Sequence, residues 1–208
     1  MSAKQDVLSM SARDFAAAAA AKTPTPGGGS VAGVVGALAV ALGEMALNFS
    51  RGKKKLAEHE EYYAHLSGRL EKARSMFYDL VDDDIAAYQL YQQANRRADG
   101  PEKEQAVQLA TAAAINVPRQ ATKLALALLD DIRELSAKCN TWLITDLLAS
   151  AALAVATVTL SDYNVRINIP SVTDKAAGRD IKQSSADDLK CAKRIHAEIE
   201  EAAKQYLL

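Results

Sequence analysis

Residues 23–48, TPTPGGGSVAGVVGALAVALGEMALN, decide how the chain folds. Two prolines and three glycines end one helix, and the run of small apolar residues that follows predicts a second helix from about Ser30 to Asn48. Small residues in this run recur three and four positions apart, a spacing that lets another backbone approach closely. The apolar part is too short and too rich in glycine and alanine for a membrane span, which needs roughly 20 strongly apolar residues. We therefore predict a buried helix of a soluble protein.

The remaining sequence is also patterned as helices. Its helical stretches are predicted at 12–21, 57–95, 101–129 with a kink at Pro118, 141–160 and 187–206, with a polar link before the last. The only β-like stretch is Asn164–Ile169, which ends at Pro170. No repeat or long linker divides the chain. The predicted fold is all-α, a single helix-bundle domain over residues 1–208.

Composition limits the possible functions. Of the 208 residues, 49% are hydrophobic but only 5% are aromatic, so a core rich in alanine, leucine and valine is expected. A net charge of −1 excludes a strongly basic nucleic-acid binder. The two cysteines form no CxxC motif and have no histidine at ligand spacing, so no metal site is expected. Without a secretory signal pattern, the expected location is the cytoplasm.

Asp84 is the first candidate for chemistry. At about 100° per residue, this aspartate lies on the apolar face of its helix, within roughly 60° of the apolar neighbours Phe77, Leu80, Val81, Tyr88 and Tyr91. Asp82 and Asp83 point away from that face. A carboxylate on an apolar face has to be paired, protonated or used in catalysis. Taken alone, a structural carboxylate that bonds a neighbouring helix explains the pattern as well.

Asp146 is the second candidate. It is the only charged residue between Lys138 and Asp162, on a helix that is apolar nearly all round and therefore expected to be buried. A lone buried carboxylate costs several kcal/mol unless a cation or hydrogen bonds compensate it. Either a cationic ligand or a structural partner satisfies that requirement.

Two further segments suggest ligand contacts. The glycine-rich stretch opens a helix, and free backbone N–H groups at a helix start can hold an anion, although glycines also serve plain turns. Its residues are Gly27, Gly28, Gly29 and Ser30. The densest basic cluster follows this helix and suits either an acidic ligand tail or the negative end of the helix dipole. Its residues are Arg51, Lys53, Lys54 and Lys55.

Taken in order, these motifs resemble the formiminotetrahydrofolate cyclodeaminase / methenyltetrahydrofolate cyclohydrolase family. The resemblance runs from about residue 11 to residue 169. It is carried by TPTPGGGS at 23–30, RGKKK at 51–55, VDDD at 81–84 with Tyr88, NVP at 116–118, Asn140 with Thr145-Asp146, and NVRIN at 164–168. The chain departs from the family pattern at Leu56, at Thr145, at 159–162 and after Pro170.

The resemblance implies an all-helical homodimer that binds a one-carbon derivative of tetrahydrofolate, in its polyglutamylated form in cells, with no metal or further cofactor. It places acid/base catalysis on Asp84, and Asp146 would offset the positive charge of the methenyl bridge. Arg51 and the three lysines would bind the glutamate tail. The pterin edge would be read by Asn140, Asn164 and Asn168.

The sequence leaves two questions open. It does not separate the cyclodeaminase reaction from the cyclohydrolase reaction. The alternative to an enzyme is a non-catalytic dimer of the same fold, structural or folate-binding, although two carboxylates at apolar positions argue against a pure scaffold. Apolar surface on the second helix and on 141–160 predicts a dimer with the site near its interface.

Overall fold

The computed structural model describes residues 6–207, so Leu208 and the first five residues of the predicted domain lie outside it. Throughout the described part the secondary structure is helical, and no strand occurs there. The α-helices are α1 (Ala12–Ala20), α2 (Gly28–Ser50), α3 (Glu60–Asn95), α4 (Pro101–Ser136), α5 (Ile144–Asn168) and α6 (Lys175–Leu207). Short 3-10 turns cover Val7–Ser9, Lys54–His59, Thr141–Leu143 and Ile169–Ser171. The predicted all-α single domain is confirmed.

Helix α2 packs mainly against α3 and α5. Helix α4 packs against α3, α5 and α6 on the other side, and one hydrophobic core runs through α2 to α6. A second, smaller core joins Val7 to Val81 and Ile85 of α3. The N-terminal segment therefore covers the part of α3 that carries Asp84.

The glycines of α2 explain its close contact with α3. A Cβ added at Gly33 would lie 2.5 Å from Val81 Cγ2, and one added at Gly36 would lie 2.4 Å from the Phe77 ring. Both distances are too short for any larger side chain, so the prediction that small residues admit another backbone is confirmed. On α5, the Ser150 hydroxyl donates to the Ala39 carbonyl of α2 at 2.6 Å.

Two of the predicted elements are wrong. The β-like stretch Asn164–Ile169 is helical, because Val165 continues the buried face of α5 and the Asn164 amide donates to the Leu160 carbonyl one turn back. The predicted polar link is also helical, since α6 begins at Lys175 rather than near Asp187. The Asp174 carboxylate accepts the first free N–H groups of α6, and small residues at Gly178 and Ser185 keep one face buried.

Other helix bounds differ by smaller amounts. Helix α4 continues to Ser136 instead of residue 129, because Ile132 and Leu135 extend its buried face, and it runs through Pro118 without interruption. Helix α5 ends at Asn168 instead of residue 160.

Two stretches, Gly28–Ser50 and Thr141–Ser171, are long and apolar enough to cross a membrane by length and composition alone. Within an apolar 18-residue window of each stretch, 56% and 44% of the residues respectively are buried inside the described bundle. This test is weak evidence for a membrane span, and the burial of α2 agrees with the predicted core helix.

Candidate active site

Asp84 lies where the start of α2 meets α3. The Ser30 hydroxyl, which is fully buried, donates to Asp84 Oδ2 at 2.8 Å. The Ser30 backbone N–H also bonds this carboxylate. Burial raises the pKa of Asp84 above its ordinary value, and the two Ser30 hydrogen bonds oppose that rise in pKa only in part. The carboxyl group therefore keeps its proton to higher pH than an exposed aspartate.

Gly29 is required for this contact. A Cβ added at position 29 would lie 2.0 Å from Asp84 Oδ1 and 2.5 Å from Asp84 Cγ. The glycine-rich stretch thus admits a protein carboxylate against the start of α2. Binding of a ligand anion by the same stretch stays a prediction.

Only some of the apolar neighbours predicted on the same helix face as Asp84 are buried. Phe77 and Val81 are fully buried beside it, but Tyr88 and Tyr91, predicted on the same apolar face, are 37% and 38% exposed. Asp84 itself is half-buried, whereas Asp83 is exposed. One side of the carboxylate faces the core, and the exposed tyrosines lie one and two turns further along α3.

Asn164 and Asn168 belong to the same end of the bundle. A Cβ added at Gly28 would lie 3.6 Å from Asn164 Nδ2, which places this side chain beside the start of α2. The Asn168 amide donates to the Asn164 carbonyl at 2.8 Å, and the Asn164 amide donates to Leu160. Each asparagine therefore uses an amide hydrogen on its own helix, which leaves its side-chain oxygen as an acceptor.

A small pocket beside Asp84 is formed by α2, α3, α4 and α5. It has about 10 Å³ of space. Its lining residues are Gly29, Ala32, Gly33, Leu80, Asp84, Val117, Pro118, Ala121 and Ser161. Among these, only Asp84 and Ser161 have polar side chains. Ser161 was not singled out from the sequence.

The basic cluster lies at the opposite end of α2. A cavity of about 420 Å³ is lined by the three lysines Lys53–Lys55, by Leu56, and by residues 139–142. Trp142, 88% exposed, stands in its wall. Within residues 6–207, neither Arg51 nor any of the three lysines makes an ion pair. Their charges are therefore available to an anion.

Asn140 also lies at this end, but its side chain already forms two hydrogen bonds within the chain. Its Oδ1 accepts the Trp142 N–H at 3.3 Å, and its amide donates to the Phe49 carbonyl at 3.3 Å. Its backbone N–H donates to Ser50 Oγ at 2.8 Å. These bonds tie the start of α5 to the end of α2 and fix one wall of the basic cavity.

Asp146 is half-buried rather than enclosed. Its helix α5 is not buried all round, since Tyr163 and Ile167 are exposed, as is Trp142 in the turn before it. Asp146 and Asn164 are 18 residues apart on α5, about 27 Å along the helix axis. Asp84 adjoins the Asn164 end through Gly28 and Gly29. One chain therefore does not bring Asp84 and Asp146 together.

Asp162 is a carboxylate that sequence reasoning passed over. It is 3% exposed, accepts the Ser185 hydroxyl of α6 at 2.8 Å, and pairs with Arg166 at 3.4 Å. Its role is to join α5 to α6. The spacing of Asp162 and Arg166, four residues apart on one helix, was the available signal.

No group of three or more histidine, cysteine, aspartate or glutamate residues within 6–207 is placed to hold a metal ion.

Comparison with known proteins agrees with this architecture. Over 162 residues the chain is 28% identical to a methenyltetrahydrofolate cyclohydrolase of Methylorubrum extorquens, covering 76% of this chain and 78% of that protein. It is 27% identical over 176 residues to the formimidoyltransferase-cyclodeaminase of Mus musculus, covering 82% of this chain but 32% of that longer protein.

A solved structure has the same fold over nearly the whole chain. The formiminotetrahydrofolate cyclodeaminase of Thermotoga maritima superposes with a TM-score of 0.89 at 26% identity, covering 97% of this chain and all of that one. The family model described as formiminotransferase-cyclodeaminase matches residues 11–187, which include both ends of the candidate site. The chain therefore belongs to the formiminotransferase-cyclodeaminase family.

Proposed function

We propose that this protein is a folate one-carbon enzyme that acts at N5 and N10 of tetrahydrofolate, either as a formiminotetrahydrofolate cyclodeaminase or as a methenyltetrahydrofolate cyclohydrolase. The observation that carries the proposal is the Asp84 carboxylate, which is held by Ser30 at the start of α2 and has a raised pKa. Both reactions need a group that gives or takes one proton at the one-carbon unit. A carboxyl group with a pKa above the ordinary value suits that task.

In the cyclodeaminase reaction, N10 attacks the formimino carbon, and ammonia leaves with the electrons of the broken C–N bond. Asp84 moves the proton that N10 loses to the departing nitrogen, which makes this nitrogen a neutral leaving group. In the cyclohydrolase reaction, water adds to the methenyl carbon and Asp84 takes the proton released. One C–N bond of the bridge then breaks as the hydroxyl proton is transferred to that ring nitrogen, which leaves a formyl group. Neither reaction changes an oxidation state, so the proposal includes no redox cofactor.

The basic cavity would bind the glutamate tail of the folate. Three lysines with no ion pair within residues 6–207 line a space of about 420 Å³, and Trp142 offers an exposed aromatic surface beside them. Carboxylates spaced along a polyglutamate chain are chemically matched to such a cluster. In this arrangement the folate spans from the basic cavity to an Asp84 site.

A homodimer would bring the basic cavity of one chain within reach of the Asp84 carboxylate of the other. The Asp84 end and the basic end lie at opposite ends of the antiparallel α2–α5 pair, so a two-fold axis across this pair brings one end from each chain together. Apolar side chains stay exposed on both helices and would be covered by the partner. They are Leu38, Met45 and Phe49 on α2, Tyr163 and Ile167 on α5, and Trp142 in the turn before α5. The dimer therefore forms part of the proposal, with Asp146 placed near the methenyl bridge by the partner.

A reducing compartment fits the two unpaired cysteines, Cys139 and Cys191. We therefore keep the cytoplasm as the proposed location.

A spectrophotometric assay tests the proposed function directly. Purified protein is mixed with formiminotetrahydrofolate, and appearance of the methenyl absorbance reports cyclodeaminase activity; with methenyltetrahydrofolate, loss of that absorbance reports cyclohydrolase activity. The faster turnover identifies the reaction. Folate binding without turnover of either compound would refute the enzyme and support the non-catalytic dimer.

A further inference from the structure

Ser161 is a buried hydroxyl that the contacts within the chain leave unused. Its side chain is fully buried on α5, and Ser161 Oγ has no hydrogen-bond partner among residues 6–207. Serine hydroxyls inside helices commonly bond a carbonyl of the preceding turn, as the Thr157 and Thr159 hydroxyls of α5 do. Burial of a hydroxyl without a partner is unfavourable, so a partner from outside the chain is expected.

The pocket that Ser161 lines has room for one small molecule. Its space of about 10 Å³ is close to the minimum that one water requires. Seven of its nine lining residues are glycine, alanine, leucine, valine or proline, so Asp84 and Ser161 supply all the side-chain hydrogen-bonding groups of this lining. A hydroxyl both donates and accepts, whereas an ionised carboxylate only accepts, so together they match a molecule that also donates and accepts.

We propose that Ser161 and Asp84 together bind the small molecule that enters or leaves during the reaction, which is water for a cyclohydrolase and ammonia for a cyclodeaminase. This inference rests on the proposed function and assigns a position to its smallest reactant. In hydrolysis, the water oxygen forms a bond to the methenyl carbon, the C=N electron pair moves to the ring nitrogen, and the released proton goes to Asp84. In deamination, N10 bonds to the formimino carbon and gives up its proton, Asp84 passes a proton to the departing nitrogen, and the C–N electron pair leaves with ammonia.

Ser161 is therefore a positioning residue for the small reactant. Its effect on catalysis is expected in kcat. The KM for folate is expected to stay unchanged, since the pocket is too small for any part of the pterin.

The test compares Ser161→Ala with Thr111→Val. Thr111 on α4 is also buried, and its hydroxyl also has no partner among the described residues, but it does not line this pocket. Ser161→Ala should lower kcat by about 3- to 10-fold, the worth of one neutral hydrogen bond, with KM unchanged. Thr111→Val should leave kcat unchanged. Equal kcat for Ser161→Ala and wild type, or an equal loss in both variants, would overturn the proposal.

A crystal structure of the wild-type protein provides a second measurement that does not depend on activity. We expect one ordered water within hydrogen-bond distance of both Ser161 Oγ and the Asp84 carboxylate, and its loss in Ser161→Ala. Absence of that water overturns the assignment even if the enzyme is active. If the water is present but neither folate turns over, the proposed function fails while the binding pair stands.

Discussion

Replacement of Gly29 by alanine should displace the Asp84 carboxylate and change the stability of the fold only a little. The new Cβ would lie 2.0 Å from Asp84 Oδ1, and ordinary contact begins at 3.4 Å, so the oxygen has to retreat by about 1.4 Å. Such a movement breaks the 2.8 Å hydrogen bond from Ser30. Misplacement of a catalytic group by about 1 Å can cost about 10²-fold in rate, so we expect kcat to fall by about that factor.

Stability should change little in the same variant. Loss of a hydrogen bond to a carboxylate costs about 1.5–3 kcal/mol, and replacement of glycine by alanine in a helix returns up to about 1 kcal/mol. The Asp84 carboxylate ends a rotatable side chain, so it moves without repacking the core. Urea unfolding should therefore detect a loss of about 2 kcal/mol or less, while steady-state assay of the folded variant detects the fall in kcat.

Two other glycines of α2 provide the controls. At Gly36 the added Cβ would lie 2.4 Å from the buried Phe77 ring, so Gly36→Ala should lose about 1–3 kcal/mol of stability through overpacking. At Gly43 the nearest atom is Ser150 Oγ at 3.6 Å, an ordinary contact, so Gly43→Ala should keep both stability and kcat. Wild-type kcat in Gly29→Ala would refute the reasoning, because the carboxylate would then act from either position or not at all.

Asp84→Asn should lower kcat by about 10²-fold or more while Asp83→Asn, on the exposed side, changes little; wild-type turnover in Asp84→Asn would make this carboxylate structural. Because burial raises the folded pKa of Asp84 above 3.8, wild-type stability falls as pH rises through that folded pKa, so thermal unfolding should show Asp84→Asn gaining stability over wild type above about pH 4 and not below. Alanine at all three positions of Lys53–Lys55 should raise KM more for polyglutamyl than for monoglutamyl folate, and the difference should shrink with salt. An equal rise in KM for both would mean that the lysines only suit the negative end of the α2 dipole. Light scattering at micromolar concentration should give a dimer, and a monomer would contradict the proposed composite site.

Local patterns in the sequence predicted the parts of the site that depend on one helix. The phase of Asp84 followed from 3.6 residues per turn, since Phe77 and Val81 had to face the core and Asp84 shares their side. The same reasoning failed for Tyr88 and Tyr91, which lie beyond the point where α2 covers α3. Periodicity identifies a face but does not say how far along the helix the neighbouring helix reaches.

The error at Asn164–Ile169 has a related cause. Valine and isoleucine favour strands, and a following proline ends many strands, so the local signal was β. Burial of Val165 against the bundle decides the outcome instead, and the two asparagine side chains support the helix by bonding its own carbonyls. Tertiary packing overrode a propensity worth less than 1 kcal/mol per residue.

The separation of Asp84 from Asp146 was beyond any local pattern, because it depends on the antiparallel course of α2 and α5. Gly28 at the start of α2 adjoins Asn164 near the end of α5, and Ser50 at the end of α2 bonds Asn140 just before α5. The two pairs of residues are therefore separated by the full length of the helices. Asp84 contacts Gly29 at the start of α2, and the basic cluster begins at Arg51, 22 residues or about 33 Å further along the axis of α2, so a bound folate can reach both in one of two ways. Either a single folate spans that length within one chain, or a partner subunit places its own basic end beside the Asp84 end of this chain. The exposed apolar stripe of Leu38, Met45 and Phe49 lies between the two ends and favours the partner, because apolar surface along that path is better covered by a second α2 than by a charged glutamate tail.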